Sequence, residues 1–510
     1  MNTTTNRTAL GLAFLLTAPL LAQEVTTNSS VLDKVGLIIS QGQSVAPKII
    51  MTGKGSLIYV KPDDVEDSAH SEPFSHGDYT WINGNDRRHT ALLDSKYFTG
   101  RLLLDVNTVY SNQNPIDHTV VGSTTLARTD EMEINLGAIG GDYHYDNVRA
   151  SILLQLGTRS TVVPRNDGSG YKGQYDLQDA YRYFSEANAG YHFNVWHGIN
   201  VDAGLFMSYI GLFSYYNAEN WVYQPSFTSD NTPWFFNGIR IQTFPTENLK
   251  IEGWIINGWQ SYAMFNNMPG FGSQILWRPK EWFEVLSNEY YGHDDQDDPG
   301  RYRAHSDNSI EIRYYNNPAS KGISRAACSL TYDIGWEQGD GVNGFHSSAT
   351  YGPAQYFLSG MVYNRLWFGP KQHTACTVGA GYINNPGRYL VLAPTGQASP
   401  LPGTVSVNPL TGLMQTQSAG IDPFSMAPGS QFLGWDATIA FDWMPSDYFT
   451  WEFQIDSRHA SVPYFAGPGG VTSPDGYVTT PVGPGSANPN WTPDLVKDEL
   501  QFIIAFMVRF

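Results

Sequence analysis

Charged and amide side chains recur at every second position of otherwise apolar runs, and these are the residues with which this chain could do chemistry. They are Asp105, Glu133, Arg149, Glu186, Asp202, Arg240, Glu252, Glu311, Arg313, Asp333, Arg365, Asp436, Glu452, Asp456 and Arg458. Asn107, Glu131, Asn135, Gln155, Asn188, Lys250, Asp442, Gln454 and Arg509 fall in the same rows. Both signs are present, with acid in modest excess. Gathered on one face, such a mix would hold water, set a transverse field between opposed charges and weakly favour cations. The plainer role for many of them is to pair with one another and brace a wall.

No catalytic motif joins them. The chain lacks a Gly-x-Ser-x-Gly elbow, a His-Glu-x-x-His pair and a Gly-x-x-x-x-Gly-Lys loop. Ser, His and Asn are plentiful, but no local pattern sets a nucleophile beside a base, so no enzyme is expected. The stretch HDDQDDPGRYRAHSD at 293–307 offers carboxylates and imidazoles. It lacks the ligand spacing of a calcium loop and reads better as a solvated acidic tip, so no metal or other cofactor is expected. Cys328 and Cys376 fall in apolar rows of two runs separated by a third. Two strand spacings come to about 9–10 Å, past the roughly 7 Å limit for a disulfide, so both are expected to be unpaired. A formal charge of -18, from 48 acidic and 30 basic residues, argues against nucleic acid.

The elements that position these side chains follow from composition. Aromatics make up 14% of 510 residues and charged residues 15%, the latter well below the roughly 25% of ordinary soluble proteins. Mean hydropathy is nevertheless -0.31. Many aromatics, many glycines and few charges suit strands and turns better than helices. Arg7 followed by ALGLAFLLTAPLLA (9–22) has the form of an export signal cleaved after Ala22. Beyond it no stretch approaches the ~18–20 apolar residues of a membrane helix. The mature chain is therefore either exported and soluble or crosses a membrane as a closed barrel, which alone satisfies its backbone in lipid without helices.

Sixteen alternating runs are expected to be strands: 97–111, 131–142, 146–158, 184–195, 199–210, 234–244, 248–258, 271–279, 281–291, 307–316, 325–337, 354–368, 373–383, 431–443, 448–458 and 498–510. In LGWDATIAFDW, Leu433, Trp435, Ala437, Ile439, Phe441 and Trp443 oppose Asp436, Thr438 and Asp442. Short connections follow every even-numbered run and long ones every odd-numbered run. Tight turns at one end and long loops at the other are the pattern of outer-membrane barrels. An even number of strands also returns both termini to the side of entry. The expected fold is an all-β, transmembrane antiparallel barrel of about 16 strands, with 14–18 allowed because 48–60 and 76–84 could each add one. The expected organisation is an export signal (1–22), a periplasmic leader or small plug (23–96) and the barrel (97–510). The largely uncharged, unexpectedly apolar loop 384–430 either folds inward as a constriction, packs against a neighbouring subunit or lies loosely outside.

The last run, LQFIIAFMVRF, ends on its apolar face, with Phe502, Phe506 and Phe510 in one row. This terminus resembles the signal by which outer-membrane barrels are recognised for insertion. The stretches at 186–227, 234–245 (WFFNGIRIQTFP), 270–282 (GFGSQILWRPKEW) and 384–392 (NNPGRYLVL) resemble the OmpL-like family of β-barrel porins, over about 77–510. The resemblance implies an outer-membrane protein passing small hydrophilic solutes or ions by diffusion. The alternative is a barrel whose long loops bind a ligand or surface partner without an open pore. Expected partners are outer-membrane lipids, the barrel-assembly machinery, periplasmic chaperones, small solutes and a second copy of the chain, with no nucleic acid.

Overall fold

The computed structural model of the chain describes residues 72–169, 175–295, 298–387, 389, 431–471 and 494–510, together with the backbone of a few short hairpins. Strict alternation over long runs gives strands β1 Phe98–Ser111, β2 Met132–Tyr145, β3 Val148–Leu156 and β4 Phe184–Phe193. The next are β5 Ile199–Met207, β6 Phe235–Thr246, β7 Leu249–Ile256 and β8 Gly270–Lys280. Then come β9 Phe283–Gly292, β10 Tyr302–Asn316, β11 Ile323–Gln338 and β12 Tyr356–Phe368. The wall finishes with β13 Thr374–Asn385, β14 Phe432–Ser446, β15 Phe449–Ala460 and β16 Asp498–Arg509. Every neighbouring pair is antiparallel, and β16 returns to β1, with Gln501 opposite Ser111 and Arg509 opposite Leu103. The result is a closed barrel of 16 strands in chain order, and each strand covers one of the sixteen alternating runs.

Closure leaves no unpaired edge, so the hydrogen-bonding groups of the wall are met within the wall. Side chains then sort by period two. Ile134, Ile139, Ile152, Leu154, Ile239, Ile251, Leu330, Val362, Val378, Ile439 and Ile455 stand exposed on the outer face, with Trp277, Trp435, Trp443 and Phe502 among them. Their opposite rows carry the polar residues. Cys328 and Cys376 are free thiols on β11 and β13, flanking β12.

Connections alternate as the sequence requires. The short ones are 146–147, 194–198, 247–248, 281–282, 317–322, 369–373 and 447–448, and long ones such as 112–131, 157–183, 208–234 and 339–355 lie at the other end. The extra-strand readings are corrected. Lys48–Thr52 and Ser56–Val60 pair only with each other, and 76–84 forms turns rather than a strand. A local hairpin satisfies its own bonds without widening the barrel. Most of the 384–430 loop lies outside the described residues.

Candidate pore interior

The inner face of the wall is built from the polar rows. Arg101 on β1 donates to Glu186 at 2.9 Å and Asp142 at 3.1 Å. Asp202 on β5 lies between Arg149 at 3.1 Å and Arg240 at 2.8 Å. Lys250 and Glu252 pair at 2.7 Å along β7, and His305 lies 2.8 Å from Asp333 across β10 and β11. Arg365 pairs with Asp442. Glu133 accepts from Asn107 at 3.1 Å. Arg101–Asp142, Arg240–Asp202 and His305–Asp333 join neighbouring strands, where cross-strand side chains are close enough to interact, while Arg101–Glu186, Arg149–Asp202 and Arg365–Asp442 reach over one or two intervening strands.

Two segments of the chain pack into the space inside this wall. Residues 208–234, between β5 and β6, turn inward and bury Tyr209, Leu212, Phe213, Tyr215, Tyr216, Trp221, Tyr223, Phe227 and Trp234. A loop this rich in aromatics gains too much from burial to stay in water. The wall holds it by polar contacts. The Tyr223 hydroxyl donates to Asp105 at 2.7 Å, and the Tyr223 amide reaches Glu452 at 2.7 Å. Ser226, capping the short helix α1 (Phe227–Asp230), donates to Asp436 at 2.7 Å. Arg458 binds Asp230 at 2.7 Å and lies 3.9 Å from Asp456. Arg365 donates to the Trp221 carbonyl at 3.0 Å.

The second segment, 72–90, crosses the short-turn end. The Phe74 amide donates to the Glu247 carbonyl at 2.6 Å, and the Trp81 indole to the Glu281 carbonyl at 2.8 Å. Arg87 reaches the Phe449 carbonyl at 2.8 Å, so the segment touches turns on opposite sides of the barrel. The Asn83 amide donates to Glu311 at 3.1 Å, and Asp78 lies against Arg325 and Arg313. Arg313 also pairs with Glu281. The two inner segments meet: the Trp221 amide donates to the Asn83 side chain at 2.7 Å, and Gly84 to the Glu219 carbonyl at 3.1 Å. Gly84 has φ 74°, and a Cβ there would run into the Leu212 carbonyl, so this junction requires glycine.

A family model described as "Putative beta-barrel porin-2, OmpL-like" matches residues 97–480. The chain belongs to this porin family. No curated protein matches it. Among solved structures, OmpT of Vibrio cholerae in its trimer form shares 8% identity at TM-score 0.43, covering 81% of this chain and 99% of that one. The anion-selective porin from Comamonas acidovorans shares 9% at 0.43, covering 81% and 99%. The outer membrane channel DcaP of Acinetobacter baumannii shares 6% at 0.43, covering 80% and 96%.

The porin is thus an outer-membrane barrel whose polar rows face inward. Asp105, Glu133, Arg149, Glu186, Asp202, Arg240, Glu252, Glu311, Arg313, Asp333, Arg365, Asp436, Glu452, Asp456 and Arg458 are all buried. They divide into wall-to-wall pairs and anchors for the inner segments. Glu131 departs from the expected rows: it lies before β2, half-exposed, and pairs with Arg128 at 2.5 Å. Phe502 and Phe510 are exposed on the outer face and Phe506 is half-exposed there. Phe510 exchanges backbone bonds with Leu102 at 2.8 and 2.9 Å, tying the terminus to β1.

Sequence reasoning missed the inward turn of the 208–234 loop, whose Glu219, Tyr223 and Asp230 lay in what read as an outer loop; Asp78, Asp86 and Asn83 lay in the stretch read as a periplasmic leader or small plug. The aromatic density of 209–234 was the available signal, since a solvated loop has no use for it. Burial alone would raise the Asp86 carboxyl, but the Arg509 and Arg88 guanidiniums outweigh it and hold Asp86 below the ordinary range. Asp78 is likewise held low against burial, by Thr80, Arg325 and Arg313. Burial raises Glu219 despite Arg509. Asp78 and Asp86 are therefore held charged.

Proposed function

We propose that this porin passes small hydrophilic solutes or ions by diffusion across the outer membrane. The tight turns and segment 72–90 face the periplasm and the long loops face outward. The path runs through a mixed-charge, mildly acidic interior, and loop 208–234 sets its narrowest part. One observation carries this reading. A closed wall of 16 strands turns charged and amide side chains inward and apolar ones outward. A barrel of that strand number is wide enough for an aqueous passage when its interior is not filled.

A specific observation favours the second reading, a barrel that binds a partner without conducting. Inward positions along β7, such as Lys250, Glu252, Trp254 and Ile256, are all buried by the inner segments. Single-channel recording from folded protein in planar bilayers decides between the two. Discrete open currents in potassium chloride support the diffusion reading. Their absence from protein that shows the heat-dependent gel mobility of a folded barrel overturns it and leaves the binding reading. No catalytic step belongs to either.

A further inference from the structure

Arg159 follows β3 at the long-loop end, where Gly157, at φ 117°, turns the chain inward. A Cβ at Gly157 would collide with the carbonyls of Ile134 and Asn135 on β2, so the turn holds only with glycine. The turn carries Arg159 into the barrel, where it is 1% exposed. Its guanidinium lies over the Tyr215 ring at 4.4 Å and the Trp234 ring at 4.7 Å. Among the described residues no carboxylate lies within ion-pair distance of it, and its Nε, Nη1 and Nη2 are buried with no well-aligned hydrogen bond, the Tyr215 hydroxyl being the polar group set against it. The Trp234 Nε1 and the Thr158 hydroxyl beside it are also buried without partners.

This is unlike the other charges of the interior. Arg101, Arg240, Arg365, Arg458 and Arg509 each have a carboxylate. An uncompensated buried cation costs several kcal/mol, and two ring faces return only about 1–2 kcal/mol each. Burial pulls the Arg159 guanidinium below its ordinary pKa, the direction that a bound anion would reverse. What the cluster lacks is an anionic acceptor: Arg159 and Trp234 present donors only, and the hydroxyls of Tyr215 and Thr158 are neutral.

We propose that Arg159 and Trp234 form a binding site for a small monocarboxylate within the barrel. The inference rests on the diffusion reading, since the ligand is a solute in the path. A carboxylate accepts two parallel N–H donors from one guanidinium. One cation balances one negative charge, while Asp105 and Asp230 contribute negative field to the same region and disfavour a dianion such as phosphate. Tyr215, Trp234 and Val163 belong to one buried apolar cluster with Phe235 and Tyr262, which suits a ligand with an apolar body.

Benzoate is the probe, with neutral benzamide as its isostere, titrated into folded protein in detergent and read by tryptophan fluorescence. The expected result is saturable quenching by benzoate, competed by acetate, with none from benzamide. Arg159→Gln should weaken benzoate at least about tenfold, the range of a charged hydrogen-bonded pair, and Trp234→Phe should weaken it less. Equal response to benzoate and benzamide, equal competition by chloride, or unchanged affinity in Arg159→Gln each overturns the site. If Arg159→Gln fails to fold, the benzamide and chloride arms on wild-type protein decide. Protein that conducts but does not bind benzoate overturns this inference alone. Protein that binds it without conducting overturns the diffusion reading alone.

Discussion

Arg509, the penultimate residue, binds Asp86 at 3.0 Å and Glu219 at 2.5 Å. One side chain on the closing strand thus clasps both inner segments. Removing one partner of a buried ion pair costs about 3–5 kcal/mol. Arg509→Gln is therefore expected to loosen segment 72–90 while the wall, held by backbone pairing, stays closed. Trypsin cleavage after Arg87 or Arg88 should quicken by about tenfold or more in folded protein. An unchanged cleavage rate would show that the clasp does not hold the segment.

The terminal Phe510 acts on a different step. Its backbone seals β16 to Leu102 of β1, and its ring stacks at 6.1 Å on Tyr448. Deleting Phe510, or replacing it with Asp, is expected to lower the yield of folded barrel more than the conductance of the barrels that do form. Membrane fractionation and heat-dependent gel mobility measure the first, and bilayer recording the second. Normal yield with altered conductance would refute the assignment.

Acid should release the segment over a defined range. Asp86 and Asp78 titrate below their ordinary value of about 3.9 when docked. Their contribution is complete above that value and is lost as pH falls through the docked pKa values. Glu219 is raised, so its protonation on acidification favours the packed state and opposes release until the aspartates protonate. Trp81, a fully buried residue of the segment itself, reports the change. The difference in emission between wild type and Trp81→Phe should stay constant from neutral pH to about 5 and shift red only below about 4. A red shift near neutral pH would contradict this account.

Tyr223 is the test of the inner loop. Its hydroxyl donates to Asp105, which also accepts from Asn135 at 3.1 Å and Asn217 at 2.9 Å. Tyr223→Phe removes one donor from a buried carboxylate and should cost about 1–3 kcal/mol. The expected effect is a lower unfolding midpoint in denaturant and noisier open-channel current from a less firmly held loop. No change in either would mean that the backbone contacts to Glu452 and Gln454 suffice.

Strand identity was legible because lipid outside and polar contacts inside impose period two on every strand. Leu433 to Trp443 alternates in sequence and again across β14. The inward rows could be read for the same reason, and Asp202, Arg240 and Arg458 of those rows are buried in the structure. The fate of those charges was not legible. Whether Arg458 meets water or Asp230 depends on a loop 228 residues away in the chain, and spacing within a strand carries no information about that. The same holds for Glu131: alternation extended one residue too far, because the loop preceding β2 pairs it locally with Arg128.

By itself, then, the sequence determined the wall to within a strand pair: about sixteen strands, their facing and the apolar closing strand, because each follows from local periodicity against two solvents, and closure fixed the number at sixteen. Tertiary structure alone decided what occupies the interior. Aromatic residues 209–234 and segment 72–90 bury against a surface that exists only after closure, and Arg159 loses its water without gaining a carboxylate only in that packed interior.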